Sequence, residues 1–316
     1  MSVVRFSIAV GLVAVCLYFL KIYFGGGVCR DETRLDGKTV VITGGNTGIG
    51  KETAIDLAKR GAKVIIGCRN KEKSQAALAD IKQESGSDLV YLKILDLASF
   101  SSIKAFADEI IRSETRLDIL INNAGIMMCP FTKTNEGFES QFGVNHLGHF
   151  LLTNLLLDLI KKSSPSRIIN VSSKAHSYVP SINFETLHDE ESYSRITSYG
   201  ISKLANVLFT RELHKRLTGT GVSTFSLHPG AVNTELTRHI VGDIGELFLI
   251  PIRKIFMKDS KEGAQTTICC AVSNYVLPHS GEYFADCVRK ESSTAGNNLT
   301  LAKNLWDYSA RVTKIE

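Results

Sequence analysis

The chain has little of what marks a disulfide-built, metal-binding or nucleic-acid-binding protein. Its seven cysteines, Cys16, Cys29, Cys68, Cys129, Cys269, Cys270 and Cys287, are odd in number and scattered, and no two of them share the C-x-x-C spacing of a zinc site. This argues against a disulfide framework and against a structural metal, and points to plain thiols in a reducing compartment. Charges of both signs are spread along the sequence, so the net charge of +5 gathers into no basic stripe and nucleic acid is not an expected partner. Internal repeats and low-complexity tracts are missing as well. What remains is ordinary globular composition, 44% hydrophobic and 22% charged over 316 residues, which suffices for one large α/β domain without a second.

The N-terminus departs from that pattern. Phe6 to Leu20 is uncharged and strongly apolar, shorter than the ~20 residues that a bilayer core asks of a helix. Arg5 and Lys21 can snorkel, and Tyr18, Phe19, Tyr23 and Phe24 suit an interfacial belt, so Val3 to Phe24 is long enough to cross. Residues 1–24 are read as one transmembrane anchor, with a cleaved signal peptide ending at Gly25 to Gly27 as the alternative. Lys21, Arg30, Arg34 and Lys38 follow the span while Arg5 stands nearly alone before it, which by the positive-inside rule places the main domain in the cytosol.

After a linker over 25–36, residues 37–316 alternate short β-branched runs with amphipathic stretches. Strands are expected at Thr39–Thr43, Lys63–Gly67, Leu89–Ile94, Ile119–Asn122, Arg167–Val171, Val222–Leu227 and Tyr283–Phe284. Helices are expected at Ile49–Arg60, Lys71–Glu84, Ser101–Glu114, Phe138–Lys161, Ser198–Leu217 and Glu262–Ala271. Strand and helix alternating this often predict a single Rossmann-type α/β fold, a doubly wound parallel sheet with helices on both faces.

Ligands of such sheets bind at the carboxyl ends of the strands. The first expected strand runs into "TGGNTGIG", where Gly44 lets the chain turn, Gly48 lets backbone approach a pyrophosphate and Gly50 lets helix pack on strand. The spacing is G-x-x-x-G-x-G, not G-x-G-x-x-G, and it is the position between a first strand and a first helix that makes it a cofactor turn. The second strand ends in "GCRN": Arg69 stands where an acid would hold the ribose of NAD, which favours NADP.

Of the nine tyrosines, Tyr199 alone has a lysine four residues on, Lys203, and the two share one face of an expected helix. An ammonium beside a phenol favours the phenolate, and a phenol so tuned can exchange a proton with a carbonyl or an alcohol. Alone, the pair is equally well a surface tyrosine beside a solvated lysine.

"TGGNTGIG", "INNAG", "GVNHLGHF", "NVSS", "YGISK" and "HPGAVNTEL" follow, in order and separation, the motifs of the short-chain dehydrogenase/reductase family, over about Gly37 to Phe284. More narrowly, "NNAGIMMCP", "GVNHLGHFLLT", "SKLANVLFTREL" and "EGAQTTICC" are similar to the membrane-anchored, NADP-dependent retinol dehydrogenases of the eleven-to-fourteen branch. The resemblance implies NADP(H) held by Gly44, Asn46, Thr47, Gly48, Ile49, Gly50, Arg69, Asp96, Asn123, Ala124 and Gly125, with Pro229, Gly230 and Thr234 at the nicotinamide amide. It implies Tyr199 as acid-base residue and Lys203 as the group that tunes it and binds the nicotinamide ribose. Ser173, in preference to Ser172, would bind the substrate oxygen, and Asn145 would hold a backbone kink and a water.

Twenty-five residues lie between Ser173 and Tyr199, and this insertion, carrying His176, Tyr178, Phe184 and Tyr193, is expected to border the substrate mouth. A lid is expected over about 234–260, where "GELFLIPIRKIFMK" is apolar and basic at once and suits a membrane surface. The activity implied is reduction of all-trans-retinal and related apolar aldehydes, reversible as retinol oxidation, by a single-pass protein of the endoplasmic reticulum membrane facing the cytosol, with a homodimer as a further expectation. A steroid or lipid-peroxidation aldehyde as substrate, or a non-catalytic NADP-binding protein, are the alternatives. The sequon Asn298-Leu-Thr300 is expected to stay unmodified.

Overall fold

A computed structural model describes Val15 and residues 19–21, 23–233 and 256–315. Most of the expected anchor, and the expected lid from Thr234 to Ile255, lie outside the described residues. Among the described residues no helix is long and apolar enough to cross a membrane.

Among the described residues eight strands form one sheet: β1 (Thr39–Thr43), β2 (Lys63–Cys68), β3 (Val90–Ile94), β4 (Ile119–Asn122), β5 (Ser166–Val171), β6 (Val222–His228), β7 (Tyr283–Ala285) and β8 (Val288–Lys290). Their order across the sheet is β3-β2-β1-β4-β5-β6-β7-β8, parallel throughout except for the last pair. All seven expected strands are present within a residue or two of their expected bounds. The eighth, a short antiparallel edge strand, carries no apolar run of its own.

The described helices after residue 30 are α1 (Gly48–Lys59), α2 (Lys71–Ser85), α3 (Phe100–Ser113), α4 (from Ser140–Phe142 through Gly143–Leu147 to Gly148–Lys162), α5 (Arg195–Arg216), α6 (Ser260–Val272) and α7 (Leu299–Thr313). Helix α7 was not expected. Asn298 caps it, and Leu301, Ala302, Leu305, Ser309 and Thr313 form its buried stripe at helical spacing.

Alternation along the strands sorts the core into two layers. Val40, Ile42, Val64, Ile66, Ile121 and Ile169 face α1, α2 and α6, while Val41, Ile65, Leu120 and Ile168 face α3, α4 and α5. Both faces of the central strands are therefore apolar, as a parallel sheet covered on both sides requires. A third cluster joins α4 and α5 to α7.

Strand β1 pairs with β2 on one side and β4 on the other. The chain reverses its winding there, so a crevice opens beyond the carboxyl ends of β1 and β4.

Candidate active site

The turn after β1 is shaped by backbone. Gly44 has φ +68°, and a Cβ there would lie 2.9 Å from the Cβ of Ala124. A Cβ on Gly50 would strike the Gly44 carbonyl and the Asn123 amide. Helix α1 opens on Gly48 with Thr47 extended before it; no side chain caps its first N–H groups and no acid stands in its first turn. Helices usually satisfy those N–H groups with a side-chain cap, so an uncapped first turn beside a glycine cradle fits a phosphate group. Asn46 is half-buried, Thr47 is exposed, and Ile49 packs on the core below.

Thr43 joins this turn to the rest of the crevice. Its hydroxyl accepts hydrogen bonds from the backbone N–H of Asn123 and Ala124, both at 3.0 Å, and contacts His149 Nε2 at 2.8 Å. His149 Nδ1 lies 3.0 Å from the Asn145 carbonyl, so it donates there and Nε2 accepts from Thr43. Burial lowers His149 to about 4, which keeps it in that neutral form. Asn123 also donates its amide to the Thr43 carbonyl at 2.9 Å. His149 was not singled out in the sequence, although it stands within "GVNHLGHF".

Arg69, one residue past β2, is exposed, and among the described residues none pairs with its guanidinium. Asp96, past β3, accepts a hydrogen bond from the backbone N–H of Ala98 at 3.0 Å and so shapes its own turn. Both lie at the carboxyl edge of the sheet where the sequence pattern puts them.

The π-turn Gly143–Leu147 interrupts α4 at Asn145, the kink expected for that residue. The Asn145 side chain bridges two elements: its carbonyl oxygen accepts from Ile126 N at 2.8 Å, and its amide donates to Ile126 O and to Ser202 Oγ, both at 2.9 Å. It thereby ties α4 to the loop after β4 and to α5. A Cβ on Gly125 would lie 3.2 Å from Asn145 Oδ1 and 3.5 Å from Lys203 Nζ, so all three residues meet at one point.

Helix α5 begins at Arg195, earlier than the apolar spacing predicts, because Ser194 caps it through Thr197 N. Tyr199 and Lys203 both turn inward from it and are buried, at 5% and 3% exposed. Lys203 Nζ lies 5.7 Å from the centre of the Tyr199 ring and donates to the Val171 carbonyl at 3.1 Å. The adjacent serines part company. Ser172 is buried and donates to the Lys203 carbonyl at 2.7 Å, whereas Ser173 is half-buried and near enough to the Tyr199 phenol to favour its phenolate.

The titration of this pair differs from the expectation. Burial pushes Tyr199 up to about 12 against the opposing Ser173 hydroxyl, and burial lowers Lys203 to about 8. Removing a phenolate from water costs more here than the neighbouring hydroxyl returns. The phenol is thus held protonated, the form that can donate.

The insertion before α5 does two things. His176, in a tight turn after Ser173, donates from Nδ1 to the Ser173 carbonyl at 2.7 Å and accepts from Ser293 N at 3.1 Å, which fixes the serine's backbone. Tyr193 donates to the Cys129 carbonyl at 2.6 Å and so closes the insertion onto the loop after β4. Phe184 packs instead on Tyr308 of α7, with ring centres 5.0 Å apart, and Tyr178 is exposed.

Past β6, Pro229 and Gly230 turn the chain with Gly230 at φ +101°. Thr234 lies outside the described residues. Among the described residues no group of three or more metal-ligating side chains occurs.

Residues 38–244 match the short chain dehydrogenase family. Retinol dehydrogenase 12 from Homo sapiens is 50% identical over 298 residues, covering 94% of this chain and 92% of its own. Retinol dehydrogenase 13 from Homo sapiens is 48% identical over 313 residues, 98% of this chain and 94% of its own. Among solved structures, the Pseudomonas aeruginosa RhlG/NADP active-site complex is 25% identical, with a TM-score of 0.63 over 79% of this chain and 95% of its own. With this coverage, and with tyrosine, lysine, serine and asparagine gathered beside a glycine turn, the chain belongs to the short chain dehydrogenase family, as an oxidoreductase close to the retinol dehydrogenases.

Proposed function

We propose that the protein is an NADPH-dependent, membrane-anchored reductase of all-trans-retinal and related apolar aldehydes. The observation that carries the reading is the convergence of Tyr199, Ser173 and Lys203 beside Asn145 and Gly125, at the end of the crevice that the glycine turn begins.

The nicotinamide cofactor, when bound, supplies the hydride. The chain's own residues do the rest. Tyr199, protonated at neutral pH, gives its proton to the substrate oxygen as that oxygen gains negative charge. The Ser173 hydroxyl, on the same side of the crevice as the phenol, donates to the same oxygen and aligns it. Lys203 spends one of its three N–H groups on Val171, which leaves two for ribose hydroxyls, and its ammonium stabilises the phenolate left behind. Asn145 keeps Lys203 and the Gly125 backbone in register through Ile126 and Ser202. Gly44, Gly48, Gly50 and the open end of α1 would hold the pyrophosphate, and the exposed Arg69 would pair with the 2′-phosphate that distinguishes NADP. Residues 1–24 anchor the protein in the endoplasmic reticulum membrane with the domain in the cytosol, and retinal enters from the lipid.

The test is the rate of all-trans-retinal reduction by the membrane-embedded protein with NADPH and with NADH, Tyr199→Phe serving as the blank. A fast NADPH rate that vanishes in the variant is the expected result. No rate above the blank would overturn the retinal reading.

A further inference from the structure

The end of the crevice at β6 is held by a side chain that is not among the reacting groups. Lys258, just before α6, is 6% exposed at its side chain and pairs with Asp286 at 2.6 Å. Its main chain runs beside the loop after β6: Lys258 N donates to the Ala231 carbonyl at 2.8 Å, Asn233 N donates to the Lys258 carbonyl at 3.0 Å, and Val232 and Lys258 form a parallel bridge. The lysine stem crosses the bare backbone of Gly230, where a Cβ would lie 2.7 Å from Lys258 Cδ and 2.8 Å from Cε. The loop that carries Pro229 and Gly230 thus rests on this one side chain.

Asp286 stands in a turn held at some strain, which falls on its neighbour Cys287. It and Cys287 are the two central residues of the turn between β7 and β8, with φ of 52° and 60°. Such a hairpin turn normally uses asparagine and glycine, which tolerate left-handed backbone. Here Cys287 N donates to Thr266 Oγ1 at 3.3 Å and pins the turn to α6. The Asp286 carboxylate also lies against the N-terminal glycines, where a Cβ on Gly26 would meet its Oδ1.

That last contact brings in the segment after the expected anchor. A Cβ on Gly26 would run into Lys258 Nζ and the Asp286 carboxylate, and one on Gly27 would run into the Asp286 carbonyl. Upstream, Lys21 pairs with Glu262 at 2.6 Å and donates to the Met257 carbonyl at 3.2 Å, and Phe24 meets Phe256 edge-on with ring centres 5.0 Å apart. Gly26 and Gly27 are therefore needed for close approach.

We infer that Lys258 is a positioning residue for the nicotinamide end of the crevice, braced by Asp286 and by the glycines Gly26 and Gly27, so that the juxtamembrane segment is part of the active site's foundation. The inference rests on the proposed dinucleotide reading. It predicts a defect confined to one half of the cofactor.

The experiment uses the full chain in lipid nanodiscs and two probes, NADPH and 2′-phospho-ADP-ribose, which lacks the nicotinamide ring. Wild type, Lys258→Met, Lys258→Arg, Asp286→Asn and Gly26→Ala are compared by calorimetric titration, with kcat and KM for NADPH measured alongside. Lys258→Met and Gly26→Ala are expected to bind NADPH about tenfold more weakly and to lose kcat, while binding the fragment within about twofold of wild type. Asp286→Asn, which keeps an acceptor, is expected to lose less, and Lys258→Arg to recover most of the loss. Unchanged NADPH binding in Lys258→Met and Gly26→Ala, or equal loss of both probes, overturns the inference and leaves the dinucleotide reading standing. A wild type that binds neither probe overturns that reading and the inference with it.

Discussion

The crevice has two ends built by different means. At the exit of β1 the shape lies in the backbone of Thr43 to Gly50, and the surrounding side chains of Asn123 and His149 only brace it. At the exit of β6 the loop over Pro229 and Gly230 owes its shape to a lysine 28 residues further on, an aspartate in a strained hairpin turn and two glycines near the N-terminus. The first end is a local structure that any sheet of this topology could carry. The second is assembled only when the whole chain has folded, and so ties the site to the N-terminal segment around Gly26 and Gly27. Between them stand Tyr199 and Ser173, which belong to neither end and are the residues proposed to carry the proton.

Removing that middle should leave both ends intact and abolish the chemistry. Tyr199→Phe is expected to lower kcat for retinal reduction about 1000-fold, the scale of a lost acid-base group, with NADPH binding unchanged. Binding measured by titration and rate measured on the same sample separate the two; a variant that also lost cofactor would show that the phenol holds one end of the crevice in place.

Gly50→Ala breaks the β1 end. Its Cβ would meet the Gly44 carbonyl, which is backbone and cannot swing away. We expect NADPH and 2′-phospho-ADP-ribose to weaken together, on the order of tenfold or about 1.4 kcal/mol, in contrast to the one-sided loss expected at Lys258. If Gly50→Ala spared the fragment, the division of labour between the two ends would be wrong. Arg69→Ala is the finer cut at the same end. It removes a charged hydrogen-bond donor, so the preference for NADPH over NADH should fall by about 10- to 100-fold while NADH binding stays constant.

The two ends also differ in how far they could be read from the sequence. "TGGNTGIG" is legible because a glycine's role in a turn is a property of its own backbone, and its place between a β-branched run and an amphipathic run fixes which turn it is. The strands were legible for the same reason, since a sheet covered on both faces leaves continuous apolar runs. Lys258 and Asp286 leave no such mark. A charged residue has no periodicity, and its partner is set by tertiary contact. His149 and Ser202 were hidden likewise, each small link being visible only once Asn145 and Thr43 have coordinates. The direction in which Tyr199 titrates also needed the fold, because the spacing to Lys203 shows the neighbour but not the depth of burial that outweighs it.

That burial makes a prediction about pH. With Tyr199 pushed up to about 12, its protonated form prevails across the neutral range, so retinal reduction should be flat from about pH 6 to about pH 8. Retinol oxidation needs the phenolate and should rise by about tenfold per pH unit over the same range. Above about 8 Lys203 loses its proton, and reduction should decline as the ammonium that stabilises the developing phenolate is lost. Initial rates in both directions, taken with saturating cofactor, check the sign. Parallel profiles would mean that proton transfer at Tyr199 does not limit either direction.

The smallest effect is expected where neither end is touched. Asn298 caps α7, its side chain accepting from Leu301 N at 2.9 Å, and with Leu299 and Thr300 it also spells a glycosylation sequon. Its side-chain oxygen is used by the helix, and in a cytosolic domain no glycosyltransferase would meet its exposed amide. Asn298 should therefore be unmodified in cells, and a mobility shift reversed by glycosidase would overturn the cytosolic placement. Asn298→Ala should cost about 1 kcal/mol, the scale of a lost N-cap, and Asn298→Asp almost nothing. Retinal reduction by both should equal that of wild type, because α7 packs on α4 and α5 behind the site. A loss of activity in Asn298→Ala that Asn298→Asp does not share would instead make the C-terminal helix a third support of the crevice, reaching it through Tyr308, His188 and the backbone N–H of Glu139 at the start of α4.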